Sequence, residues 1–197
     1  SNFLEDFVVK QKITHAIPRT LTEGDASIYI SLTGNRHPLY CAQTFSNQLG
    51  FSKMPLNDFL VFHIAFGRTV QDISLNAVAN LGYADVRFIK PVYAGDTIRS
   101  ESKVIGIKEN SNKTSGIVYV HSITKNQDDD EVLSWKRWVM IPKNNKDAVI
   151  KESVMEELPK TVAMDNIQIP KDLNVSNFDF SATGSSRVWD DFNDNEF

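Results

Sequence analysis

Apolar residues along this chain follow a helical rhythm first and then, past Leu75, an alternation of period two. Residues 55–69 carry Phe59, Leu60, Phe62, His63, Phe66 and Thr69 and leave no clean polar face, which predicts a helix buried nearly all round. Gly67 weakens that helix locally. Upstream, Asp25 is placed to cap a short helix over 26–32, its carboxylate accepting free first-turn N–H groups. A second short helical segment covers 42–49 and ends at Gly50. Downstream, Ile98, Val104, Ile105 and Ile107 mark one strand. Ile117, Tyr119, His121 and Ile123 share a face of the next, with Val118, Val120 and Ser122 on the other face. In a last strand over 132–141, Trp135, Val139 and Ile141 share a face and Trp138 falls opposite, so one tryptophan belongs to the core and the other to an interface. Asn110-Ser111-Asn112 and Gln127-Asp128-Asp129-Asp130 supply turn chemistry between strands. Pro91 and Gly95-Asp96 break 86–98 into short strands. Helices early, one long buried helix and then an antiparallel meander make an α+β plan: a curved antiparallel sheet wrapped round a long central helix.

The pattern holds over residues 1–142 and fails after 143, where a polar stretch is interrupted by Pro159 and Pro170. Residues 143–197 therefore read as an extended linker. Its end, Ser185-Ser186-Arg187-Val188-Trp189-Asp190-Asp191-Phe192, resembles the opening Asn2-Phe3-Leu4-Glu5-Asp6-Phe7: an aromatic residue, then acidic residues, then Phe. That is either the start of a second copy of the domain or a chance match.

Composition narrows the classes. At 41% hydrophobic and 23% charged residues, the 197-residue chain reads as a soluble globular protein. A net charge of −4 argues against nucleic acid, which needs a basic surface. The single cysteine, Cys41, excludes an intramolecular disulfide and points to a reducing compartment. No apolar run reaches the roughly 20 residues of a membrane span, and no signal-peptide pattern opens the chain, so the cytoplasm is the expected location.

Three stretches carry a resemblance. Pro18-Arg19-Thr20-Leu21-Thr22-Glu23-Gly24-Asp25 is similar to an Arg-Thr-x-Thr-Glu-x-Asp lead into a first helix. Val86-Arg87-Phe88-Ile89-Lys90-Pro91-Val92-Tyr93-Ala94-Gly95-Asp96-Thr97 is similar to Val-Arg-Phe-x-x-Pro-Val-x-x-Gly-Asp-Thr. Between them, Leu32-Thr33-Gly34-Asn35-Arg36-His37-Pro38-Leu39-Tyr40 resembles the Leu-Thr-Gly-Asp-x-Asn-Pro-Leu-His motif of the MaoC-like, R-specific enoyl-CoA hydratases. The resemblance implies a hot-dog fold and reversible hydration of a short or branched enoyl-CoA. Its Asp and His would activate the water, but here those positions hold Asn35 and Tyr40. An amide is no general base, and tyrosine, with an ordinary pKa of about 10, is a poor one. Residues 62–63, 80–83 and 106–112 further resemble the mesaconyl-CoA hydratases, also called β-methylmalyl-CoA dehydratases, which are double hot-dogs. The resemblance implies a first half with a worn motif, its functional His lying in a second half.

Other candidates stand beside that motif. His37 could restore base chemistry, or be a surface histidine beside a proline. Asp58 could activate water as in hot-dog thioesterases, or merely favour its helix N-terminus. His63 on the same helix is a catalyst or a satisfied buried histidine. Leu56-Asn57 stand where the hydratases have a glycine whose N–H holds the thioester oxygen. Arg87, Lys90, Lys108 and Lys113 could meet CoA phosphates or simply be solvated. Asp128-Asp129-Asp130 lacks the spacing and glycine of a calcium loop, and no metal is expected. No cofactor is implied beyond the coenzyme A of the substrate. A lone hot-dog leaves a sheet edge uncovered, so the expected partners are an acyl-CoA thioester and a second hot-dog, as homodimer or second half. The alternatives are an acyl-CoA thioesterase using Asp58 and a non-catalytic hot-dog that binds acyl-CoA or supports an assembly.

Overall fold

A computed structural model describes residues 2–153, 157–158, 160–167, 169–170 and 173–196; Pro159 lies outside the described residues. Strands β1 (Lys12–Thr14) and β2 (Arg19–Thr20) precede helices α1 (Glu23–Thr33), α2 (Pro38–Cys41), α3 (Gln43–Gln48) and α4 (Asp58–Thr69). Four long strands follow: β3 (Ala79–Phe88), β4 (Thr97–Glu109), β5 (Ser115–Lys125) and β6 (Glu131–Pro142). The sheet order is β1-β4-β5-β6-β3, with β2 also paired to β4. All pairings of these strands are antiparallel.

The inner face of the sheet holds two apolar clusters. One joins Leu60, Val61 and Ala65 of α4 to Ile98, Val132, Leu133 and Trp135. The other gathers Leu4, Phe7 and Ile73 over Val104, Val118, Val120, Val139 and Ile141. Trp135 is fully buried, while Trp138 lies half-buried on the outer face, stacked on Tyr119. The opposite placement expected from their spacing is therefore observed.

A polar seam is buried beside these clusters. His15 Nδ1 lies 2.7 Å from Asp72 Oδ2, and its Nε2 lies 2.8 Å from Ser102 Oγ. Ser102 Oγ in turn lies 2.7 Å from Ser122 Oγ. Arg137, fully buried on β6, donates to Thr69 Oγ1 at 2.9 Å and covers the Phe66 ring. Burial brings its pKa down to about 10. Its Nε has no hydrogen-bond partner among the described residues.

Two sequence expectations need correction. Thr22, not Asp25, is the N-cap of α1. Asp25 sits three residues into a capping box: Thr22 N donates to Asp25 Oδ2 at 2.9 Å, and Asp25 N donates to Thr22 Oγ1 at 3.2 Å. The helix therefore starts earlier than 26, and it ends where Gly34 adopts a left-handed conformation at φ 63°. Helix α4 is also not buried all round. Leu60, Val61, Ala65 and Thr69 face the sheet, but Phe59 is 59% exposed and His63 is exposed. Beside it, Tyr83 of the edge strand β3 meets the Phe62 and Phe66 rings of α4, and Leu81, Tyr83 and Val86 of that strand are exposed. No helix among the described residues is long and apolar enough to cross a membrane.

Candidate functional site

The altered motif folds into the loop after α1 and the short helix α2. Gly34 turns the chain, and Asn35 Oδ1 accepts from His37 N at 2.8 Å. His37 caps α2 by accepting from Leu39 N through Nδ1 at 3.3 Å. Pro38 then occupies a first-turn position, where its missing N–H costs nothing. This turn aims Tyr40 inward, and its hydroxyl donates to Asp58 Oδ2 at 3.1 Å. The pairing joins two residues named separately in the sequence; nothing local marks a contact across 18 positions.

Tyr40 and Asp58 lie on the wall of a cavity of about 500 Å³. Leu39, Phe51, Pro55 and Phe88 make its apolar lining, and residues 85–91 form one side. Burial pushes the Asp58 carboxyl above the ordinary carboxylate range, against the pull of the Tyr40 hydrogen bond. Burial also lifts the Tyr40 hydroxyl well above the ordinary phenol range, and the neighbouring Asp58 charge adds to the rise. Tyr40 therefore keeps its proton at neutral pH and is no base, while Asp58, made more basic by burial, accepts the Tyr40 hydroxyl at one of its two oxygens.

At the Leu56-Asn57 candidate oxyanion position, one backbone donor is engaged. Leu56 N donates to Val92 O at 2.8 Å. Asn57, buried, caps α4 through Oδ1, which accepts from Phe59 N at 2.9 Å. Cations near the cavity are also engaged. Arg87 Nε donates to Asp85 Oδ1 at 2.7 Å, and Lys90 Nζ lies 2.7 Å from Asp130 Oδ1. Asp85 sits at a register shift of β3 with φ 51°, a left-handed conformation uncommon for aspartate. Arg87 and Lys136, both bonded to it, hold its carboxyl below the ordinary range. Lys108 is exposed on β4 and lines neither this cavity nor a neighbouring one of about 840 Å³. Lys113 pairs with Glu109 at 2.8 Å.

His63 is exposed rather than buried, its ring tilted against those of Tyr29 and Phe62, and it does not line the cavity. Of the named candidates, Tyr40, Asp58, Arg87 and Lys90 meet at one cavity, whereas Asn35, His37, Asn57, His63, Lys108 and Lys113 do not line it. Among the described residues, no three His, Cys, Asp or Glu side chains gather as a metal-binding group.

An antiparallel sheet with one long helix on its inner face, and a Gly-x-x-x-Pro-Leu turn leading to a cavity at the helix N-terminus, define a MaoC-like hot-dog domain. The mesaconyl-CoA hydratase profile matches residues 1–186. The chain belongs to the mesaconyl-CoA hydratase family. It is 47% identical over 191 residues to the β-methylmalyl-CoA dehydratase of Chloroflexus aurantiacus, covering 97% of this chain and 54% of that protein. A crystal structure of a MaoC domain protein dehydratase from the same organism superposes with a TM-score of 0.92 at 46% identity, covering 98% of this chain and 55% of that one. A Mycobacterium tuberculosis protein with a double hot-dog fold matches with a TM-score of 0.68 at 26% identity, over 73% of this chain and 44% of that one. The chain thus spans about half the length of the curated relatives it matches.

Proposed function

We propose that this chain is the substrate-binding half of an acyl-CoA hydro-lyase that reversibly adds water to a short or branched enoyl-CoA resembling mesaconyl-CoA. A second hot-dog half supplies the acid–base pair. Water would attack C3 while a proton reaches C2, with no cofactor other than the coenzyme A carried by the substrate. The single cysteine fits a reducing compartment such as the cytoplasm.

One observation carries the reading. The two motif positions that would activate water hold Asn35, spent on its own turn, and Tyr40, spent on Asp58. The tail adds support for a second half. Val188 N donates to Asp191 Oδ2 at 2.8 Å, as Phe3 N does to Asp6 Oδ2 at 2.9 Å. Both turns close the same way, Phe192 N on Trp189 O and Phe7 N on Leu4 O. At the first turn, Leu4 is fully buried, whereas Trp189 is 89% exposed. A second domain would cover it.

Thioester hydrolysis through Asp58 is the second reading, favoured by that carboxyl lying on the cavity wall. One incubation separates the two. The 197-residue chain is mixed with mesaconyl-CoA or crotonyl-CoA, following both the enoyl-thioester absorbance and free thiol. The expected result is neither change alone, and hydration once a second half with an intact motif is joined to it. Hydration by the isolated chain that His37→Ala or Tyr40→Phe abolishes would overturn the assignment. Thiol release lost in Asp58→Asn would establish the hydrolase instead.

A further inference from the structure

One cation on the wall of the motif cavity is only partly engaged, and a bulge puts it there. Ala84 pairs with Lys136 and Arg87 with Ser134, so Asp85 and Val86 of β3 stand against the single Trp135 of β6. Asp85 takes up the extra length in its left-handed conformation at φ 51°. One extra residue moves the alternation of the strand on by one. Phe88 therefore falls opposite Leu133 and packs on the core, and Arg87 beside it lines the cavity.

Asp85 then fixes the guanidinium. Its Oδ1 accepts from Arg87 Nε at 2.7 Å, and its Oδ2 accepts from Lys136 Nζ at 2.9 Å. Among the described residues Nε is the one guanidinium nitrogen so engaged, and Nη1 and Nη2 keep their donors. The charges of this group do not cancel, because two cations share one carboxylate. Lys90, by contrast, is balanced by Asp130, and Asp58 is engaged by the Tyr40 hydroxyl. The Arg87 side chain is 38% exposed, so an anion can reach its fork.

The surroundings say which anion fits. A guanidinium fork takes the two oxygens of a carboxylate or of a phosphate. Leu39, Phe51 and Phe88 make the neighbouring wall apolar, which suits a hydrocarbon chain rather than a nucleotide. A cavity of about 500 Å³ holds a short acyl group. The geometry points to Arg87 as the residue that reads a free carboxylate on the acyl group, so that this half selects CoA esters of dicarboxylic acids over those of simple fatty acids. The inference rests on the proposed reading of the chain as a substrate-binding half.

Calorimetric titration of the 197-residue chain tests this with two esters that share the same coenzyme. Mesaconyl-CoA is the thioester of an unsaturated dicarboxylic acid and keeps one free carboxylate; crotonyl-CoA has none. Mesaconyl-CoA should bind more tightly by at least about tenfold, the strength of a charge-assisted hydrogen bond. The ratio should fall to about one in Arg87→Gln, with melting curves recorded in parallel. Arg87→Met, which keeps an apolar stem, takes its place if that variant does not melt cooperatively. An equal fall for both esters would put Arg87 on the coenzyme's phosphates and overturn the inference. Equal affinity in the parent chain, or no binding of either ester, would overturn it as well. Hydration by a chain carrying both halves is scored separately. Its absence would overturn the proposed activity and leave an Arg87-dependent preference standing, whereas hydration without that preference would overturn the role of Arg87 alone.

Discussion

Tyr40 gives its hydroxyl hydrogen to a carboxylate that is itself partly desolvated, and this pairing has measurable consequences. Tyr40→Phe should cost about 1–3 kcal/mol in urea unfolding at pH 7, because a buried acceptor loses its donor. Asp58→Asn should act in the opposite direction. The folded carboxyl titrates above its unfolded value, so its protonated form stabilises the fold at low pH and that contribution is lost as pH rises through the folded value. The amide variant should therefore be more stable than the parent at pH 7, and the difference should close towards about pH 3.5, below the unfolded carboxyl's range. His15 has the reverse sign. Burial holds it below the ordinary imidazole value, although Asp72 pulls upward and Arg137 adds to the lowering. Stability present above about pH 6.5 should fall as pH drops towards the folded value, by at most about 1.4 kcal/mol per pH unit for one proton. Melting curves between pH 7.5 and pH 5.5 should show a flatter dependence for His15→Asn. None of this network is legible in the sequence, since His15 and Ser102 are 87 positions apart and nothing local marks Ser102, an inward residue of β4, as a partner of His15.

At the scale of elements, close approach decides what the strands tolerate. A Cβ on Gly116 would stand 2.6 Å from both a Leu4 methyl and the Lys108 carbonyl oxygen. Gly116→Ala should cost about 1–3 kcal/mol in denaturant unfolding, because backbone cannot step aside as a flexible side chain can. Thr69→Val removes an acceptor from the buried Arg137 guanidinium and should cost a similar amount, roughly 1–3 kcal/mol. Adding Arg137→Met should recover most of that loss, since an apolar side chain there needs no acceptor. The long strands β4, β5 and β6 were readable because most of their inward residues alternate, from Gly116 on throughout β5 and up to the bulge after Val104 in β4. Strand β3 was mostly missed. Asn80, Gly82 and Asp85 break its alternation, and two register shifts against β6 accompany them. The start of α1 was misplaced because a capping box has two polar ends, and Asp25 is its second. The open face of α4 escaped notice because its rings look like core to any single-chain reading. Tyr40 and Asp58 were each legible as candidates; that they bond to each other was not.

On the scale of the whole molecule, the free edge of β3 lies beside the exposed face of α4, with Tyr83 against Phe62 and Phe66. Leu81, Tyr83 and Phe59 are each at least 40% exposed there. An edge of this kind pairs unless charge blocks it. The isolated chain should therefore self-associate in sedimentation experiments. Leu81→Lys/Tyr83→Lys should weaken that association by at least about tenfold, or roughly 1.4 kcal/mol. A monomer at all concentrations would contradict this reading of the edge. The three tryptophans also give the protein an internal set of optical reporters. Trp135 is sealed in the core, Trp138 is half-covered on the outer sheet and Trp189 stands almost free on the tail. A dissolved quencher should extinguish the red-shifted emission of Trp189 first and leave the blue emission of Trp135 intact until the core opens. Loss of the quenchable component on adding a second hot-dog half would report docking of the tail by colour alone, before any chemistry is measured.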